Sequence, residues 1–85
     1  MNLRYIAVFR PMYHLTDDLI AAVIAKYGEG LQRLNLSNNN LRTIQNIQRF
    51  SDLRHLNLSG NYISDVAPLA EVTTLESLNL AENRM

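Results

Sequence analysis

The chain has no cysteine and no tryptophan, and its 85 residues include only three glycines and two prolines. Without cysteine there is no disulfide, no thiolate nucleophile and no sulfur-ligated metal. Short extracellular repeat arrays usually lean on disulfides, so the missing cysteine points to a reducing, intracellular compartment. So few Gly and Pro exclude collagenous and linker-like chains, and a 47% hydrophobic content excludes a disordered one. No apolar run approaches the roughly 20 residues of a membrane span. The opening MNLRYIAVFR has one short apolar stretch and no small-residue cleavage site, so a signal peptide is not expected. An excess of one charge is missing too, since eight Lys and Arg balance eight Asp and Glu. A neutral chain has little affinity for a phosphate backbone, which makes nucleic acid an unexpected partner. Only His14 and His55 are present, with no His-x-x-x-His pair, so neither a metal nor a cofactor is expected.

What the chain does have is repetition. Residues 31–52 read LQRLNLSNNNLRTIQNIQRFSD, residues 53–74 read LRHLNLSGNYISDVAPLAEVTT, and residues 75–85 begin the pattern again as LESLNLAENRM. The apolar positions superpose on shifting by one repeat: Leu31, Leu53 and Leu75; Leu34, Leu56 and Leu78; Leu36, Leu58 and Leu80; then Leu41, Ile63 and Met85, followed by Ile44 with Val66, Ile47 with Leu69 and Phe50 with Val72. A period of this length predicts a solenoid, in which each unit buries its apolar face only against its neighbours. Charge is distributed along it unevenly. Residues 31–54 carry Arg33, Arg42, Arg49 and Arg54 against Asp52, whereas residues 55–85 carry Asp65, Glu71, Glu76 and Glu82 against Arg84.

Within each unit, L-x-x-L-x-L alternates apolar and polar residues, which predicts short strands over 33–37, 55–59 and 77–81. Stacked in phase, these strands make a parallel sheet. Its inner face carries Leu34, Leu36 and their equivalents. Its outer face carries Arg33, Asn35 and Ser37, then His55, Asn57 and Ser59, then Ser77 and Asn79. Asn39, Asn61 and Asn83 fall where the chain turns off the strand and can bond backbone groups left unpaired there, forming a structural ladder. The return segments place apolar residues at spacing three, which suits 3₁₀ or α turns, and Pro68 fits the start of one. The sequons at Asn35 and Asn57 lie inside this repeat chemistry and need no glycan to explain them.

The first 30 residues stand apart. Tyr5-Ile6-Ala7-Val8-Phe9 is β-prone and ends at Pro11, either as a short strand or as an ordered arm. Residues 17–27 predict a helix, with Thr16 as cap, Asp17 and Asp18 in its first turn, and Gly28 as its stop. Leu19, Ile20, Val23, Ile24 and Tyr27 form one apolar stripe, as a helix covering the exposed end of the first repeat requires. The organisation is therefore an N-terminal arm and capping helix over 1–30, followed by repeats over 31–85.

The motif L-x-x-L-x-L-x-x-N-x-[LI], with the spaced apolar residues that follow it, resembles the leucine-rich repeat family. The repeat length is similar to that of its intracellular subfamily, which includes a regulatory subunit of protein phosphatase one and an axonemal dynein light chain. The resemblance implies an α/β fold: a leucine-rich repeat solenoid with a short parallel sheet on the concave face and 3₁₀ or α turns on the convex face. It also implies a non-enzymatic module that binds a protein partner on the concave face, as a scaffold or regulatory adaptor, in the cytoplasm, the cilium or the nucleus. The concave candidates are Arg33, Asn35, Ser37, Arg54, His55, Asn57, Ser59, Ser77 and Asn79, with the three asparagines as a row of donors and acceptors. Arg33 and Arg54 would favour an acidic partner segment. His55 and Ser77 are close enough to touch across neighbouring strands, but an open strip supplies neither an orienting group nor a water-excluding pocket, so no catalysis is expected. The third unit stops at Met85 without a return segment, so the solenoid reads as C-terminally truncated. The alternative function is then an assembly fragment that self-associates through its C-terminal edge or continues onto another chain.

Overall fold

The structure, a computed structural model, describes residues 5–7 and 19–84. The expected helix cap at Thr16, the acids Asp17 and Asp18, the side chain of Leu19, His14 and Met85 lie outside what is described. Four three-residue strands, β1 (Tyr5–Ala7), β2 (Arg33–Asn35), β3 (His55–Asn57) and β4 (Ser77–Asn79), form one parallel sheet in the order β1-β2-β3-β4. Of the two readings open for the N-terminal run, the strand is the one observed. Tyr5 aligns with Arg33, which aligns with His55, which aligns with Ser77. The helix α1 (Leu19–Tyr27) falls between β1 and β2 in chain order. The sheet therefore crosses the boundary between repeat and non-repeat sequence, since β1 pairs with β2 in parallel just as the repeat strands pair with one another.

The repeat is copied bond for bond. Arg54 N–H donates to Gln32 O at 2.8 Å, and one unit later Glu76 N–H donates to Arg54 O at 2.7 Å. Leu36 N–H to Asn57 O and Leu58 N–H to Asn79 O are both 2.8 Å, and Asn38 N–H to Ser59 O and Gly60 N–H to Ala81 O are both 2.9 Å. Identical bonding follows from identical apolar spacing, because each leucine layer sets the height of the next.

The strands are shorter than alternation predicted, and a side chain is the reason. The oxygens of Asn35, Asn57 and Asn79 accept the N–H groups of Ser37, Ser59 and Ala81, each at 3.0 Å, and so draw those groups out of the sheet ladder. One residue further on, Asn38, Gly60 and Glu82 take left-handed backbone angles with φ of 58°, 69° and 58°. Asn tolerates that region and Gly is at home in it, whereas Glu82 adopts it at a steric cost. At Gly60 a Cβ would also collide with Asn38 Oδ1.

The return segments contain 3₁₀ turns at Ile47–Arg49 and Ala67–Glu71, with Pro68 in the first turn of the latter. Leu31, Leu34, Leu36, Leu41, Ile44, Ile47, Phe50, Leu53, Leu56, Leu58 and Ile63 are buried in one cluster. Val66 and Leu69, in register with Ile44 and Ile47, are only partly buried, because the second return has a described neighbour on one side alone. Ile20, Val23 and Ile24 of α1 join the same cluster, with Tyr27 packed against it. Ile24→Ala should therefore destabilise the whole domain by about 2–5 kcal/mol, the range for truncating a buried isoleucine. A thermal melt checks this. An unchanged midpoint would mean that α1 does not share the repeats' core.

Candidate functional site

The outer face of β2, β3 and β4 forms a shallow groove of about 370 Å³ lined by Arg33, Leu34, Asn35, His55, Leu56, Asn57, Ser77, Leu78 and Asn79. Two columns of side chains run across the strands, Arg33–His55–Ser77 and Asn35–Asn57–Asn79, each in register. Neighbouring members of a column are about 4.8 Å apart, the spacing of hydrogen-bonded strands. The sheet's backbone bonding holds every position, so the columns are presented on rigid strands rather than on loops.

Three of the sequence candidates are placed differently. Arg54 is not in the groove. Two residues separate Leu53 from Leu56, so strand alternation begins at His55, and Arg54 sits just before the strand. Its guanidinium lies 3.5 Å from Asp52 Oδ1 and 3.6 Å from Glu76 Oε2. All three side chains are about half exposed, which makes these contacts worth little individually. Ser37 and Ser59 also lie beyond the groove lining. Their N–H groups close the turns at the strand ends, and Ser59 Oγ donates to Asn57 Oδ1 at 2.8 Å.

Those turns change the chemistry expected of Asn35, Asn57 and Asn79. A backbone N–H can bond only the amide oxygen, so the orientation of each side chain is determined. The oxygen is used within the fold. The Nδ2 of each bonds nothing among the described residues, so the column offers donors rather than the mixed donors and acceptors expected from composition. Arg33 likewise makes no ion pair among the described residues, unlike Arg49, which bonds Glu29 at 2.8 Å, and Arg54. The alternation of polar residues located these groups. The sequence also held the signal for their polarity, in the Asn-x-Ser and Asn-x-Ala spacing at the strand ends.

His55 Nδ1 lies 2.7 Å from Ser77 Oγ on the open face. Among the described residues no carboxylate bonds His55, so the pair lacks an orienting third group. Nor do three His, Asp or Glu side chains converge to hold a metal among the described residues. Among them no helix is long and apolar enough to cross a membrane.

Asn39 and Asn61 are buried beneath this face, at 0% and 3% exposure. Asn61 spans two units. Its oxygen accepts Asn39 N–H at 3.0 Å and Leu41 N–H at 2.9 Å, and its Nδ2 donates to Leu36 O at 3.0 Å, Leu58 O at 2.8 Å and Ser59 O at 3.2 Å. Asn83 repeats this one unit later, accepting Ile63 N–H at 3.0 Å and donating to Leu58 O at 2.9 Å and Leu80 O at 3.0 Å. Asn39 Nδ2 donates to Ser37 O at 3.0 Å.

A family model described as leucine rich repeats in two copies matches residues 29–71. No curated protein matches the chain.

The two kinds of asparagine should separate under mutation. Asn61→Ala strands several buried backbone groups, at about 1–3 kcal/mol for each one left unsatisfied. Asn57→Ala removes the bonds from Ser59 N–H and Ser59 Oγ at the half-buried strand end, where water can replace them, and should cost about 1 kcal/mol. Chemical denaturation of both variants checks the difference. Equal losses would mean that the two residues do not occupy opposite faces.

Proposed function

The chain belongs to the leucine-rich repeat family, and on that premise we propose that it is a non-enzymatic interaction module taking a protein partner in the groove across β2, β3 and β4. One observation carries this reading. The groove aligns polar side chains that the fold's own bonding does not use: Arg33 and the Nδ2 groups of Asn35, Asn57 and Asn79. A donor left exposed on a rigid sheet forms its best bonds with a ligand. The repeats stack as a solenoid in this reading, and α1, through Ile20, Val23 and Ile24, covers apolar surface at its N-terminal side. The cysteine-free composition suits an intracellular setting, where the module acts as scaffold or regulatory adaptor. Site-specific photo-cross-linking in cells tests the proposal. Benzoylphenylalanine in place of Asn57 should give discrete protein adducts that Arg33→Ala with His55→Ala abolishes. The same probe in place of the exposed, convex Gln48 should give none. Adducts from position 48 and not from 57 would move the binding face to the other side.

A second reading is favoured by Leu78, which is 42% exposed although its register partners Leu34 and Leu56 are each 2% exposed. The outer edge of β4 then receives a further strand from a second copy, and the protein works as an assembly element. Sedimentation velocity across the micromolar range would show a mass rising with concentration, reduced by Leu78→Lys. A single monomeric species throughout would remove this reading.

A further inference from the structure

The partner's chemistry follows from the polarity of the groove, and the inference rests on the reading that the groove is the binding face. Asn35, Asn57 and Asn79 each commit their oxygen to a turn N–H at 3.0 Å. What remains is a row of NH₂ groups. Arg33 adds a guanidinium, which has donors and no acceptor. When Ser77 Oγ–H donates to His55 Nδ1, the ring proton sits on Nε2 and is a further donor. Such a strip has little to bond in a ligand surface that presents N–H or ammonium groups. It matches one that presents carbonyl or, better, carboxylate oxygens, since bonds to a charged acceptor are the stronger ones.

Spacing selects among acidic segments. The three members of the asparagine column, about 4.8 Å apart, span about 9.6 Å from Asn35 to Asn79. On an α-helix, with a rise of about 1.5 Å per residue, side chains at i, i+3 or i+4 and i+7 span about 10.5 Å on one face. On an extended strand, alternate side chains recur every ~6.7 Å, so three of them span about 13.4 Å and fall out of step with the columns. A phosphodiester chain also supplies acceptors. The groove has one cation without an ion partner among the described residues, Arg33, and an exposed glutamate, Glu76, lies just before β4, so little counterion release would drive such binding.

We propose that the groove takes one face of an acidic α-helix from a protein partner, with carboxylates at i, i+3 or i+4 and i+7 accepting from the Nδ2 groups of Asn35, Asn57 and Asn79. The register requires the helix to lie across the strands, along the direction in which the repeats stack. Arg33 then bonds an acid at the β2 end.

The side-chain amide signals of the intact ¹⁵N-labelled protein report on this directly. The probes are a stapled alanine-rich helix with Glu at i, i+3 and i+7, the same helix with Lys at those positions, a proline-interrupted Glu peptide, and a uridine oligonucleotide. The Glu helix should shift the three Asn NH₂ signals saturably, and the other three probes should not. Asn57→Asp is the decisive variant. It preserves the oxygen that Ser59 N–H bonds and replaces only the donor. It should keep the thermal midpoint, weaken the Glu helix about tenfold and strengthen the Lys helix. Equal response to Glu and Lys helices, preference for the extended peptide or the oligonucleotide, or indifference to Asn57→Asp would each overturn the inference. The cross-linking described above asks only whether the groove is occupied. Adducts at position 57 without a preference for the Glu helix would therefore sink the acidic helix and leave the groove as the binding face.

Discussion

The turns that leave β2, β3 and β4 carry backbone N–H and C=O groups inward, and the asparagines beneath the sheet are what make those turns tolerable. Leucine layers hold the units together, but they cannot satisfy a buried polar group, and an unsatisfied one costs about 1–3 kcal/mol. Asn61 meets five such groups with one side chain and takes them from two successive units. Asn83, half-buried, meets four one unit later. Both an acceptor and a donor pair are needed at each site, a combination that Asp, Leu or Ser does not supply. With the turns pinned, the strands align, the apolar residues of the returns face inward, and the outer columns come into register.

A second set of asparagines, on the opposite side of the same turns, sets the character of the surface. Asn35, Asn57 and Asn79 close the strand ends with their oxygens, which shortens the strands and leaves only nitrogens outward. Fold and ligand chemistry are thus coupled in one side chain: the bond that terminates each strand also removes the acceptor from the groove. The ion pairs are peripheral by comparison. Arg49 with Glu29, and Arg54 with Asp52 and Glu76, are all substantially exposed and join the sides of the stack where water screens them.

Much of this was legible in the chain. The period predicted the strands, and Leu34, Leu36, Leu56 and Leu58 face the core as alternation required. The α1 stripe located Ile20, Val23 and Ile24 in the core. Strand lengths were not legible, because alternation continues through Ser37 and Ser59 while the backbone has already left the ladder. Arg54 was grouped with the groove because it is adjacent in sequence to His55. One residue along a strand reverses the face, and at a strand entrance it also changes the direction of the chain. The uneven burial of Ile44 and Val66 was invisible for a related reason. Superposed positions are chemically alike, but burial depends on whether a layer has neighbours on both sides.

By itself, the sequence determined the period, the apolar and polar faces, and the places where the chain must turn, because these depend on residue type and spacing alone. Only the tertiary structure decided that the N-terminal run is a fourth strand. Its spacing to β2 is not that of the repeats, and pairing at another interval depends on the path α1 takes between them. Only the tertiary structure decided which half of each outer asparagine meets solvent. An amide carries a donor and an acceptor side by side, and the turn N–H two residues on selects between them.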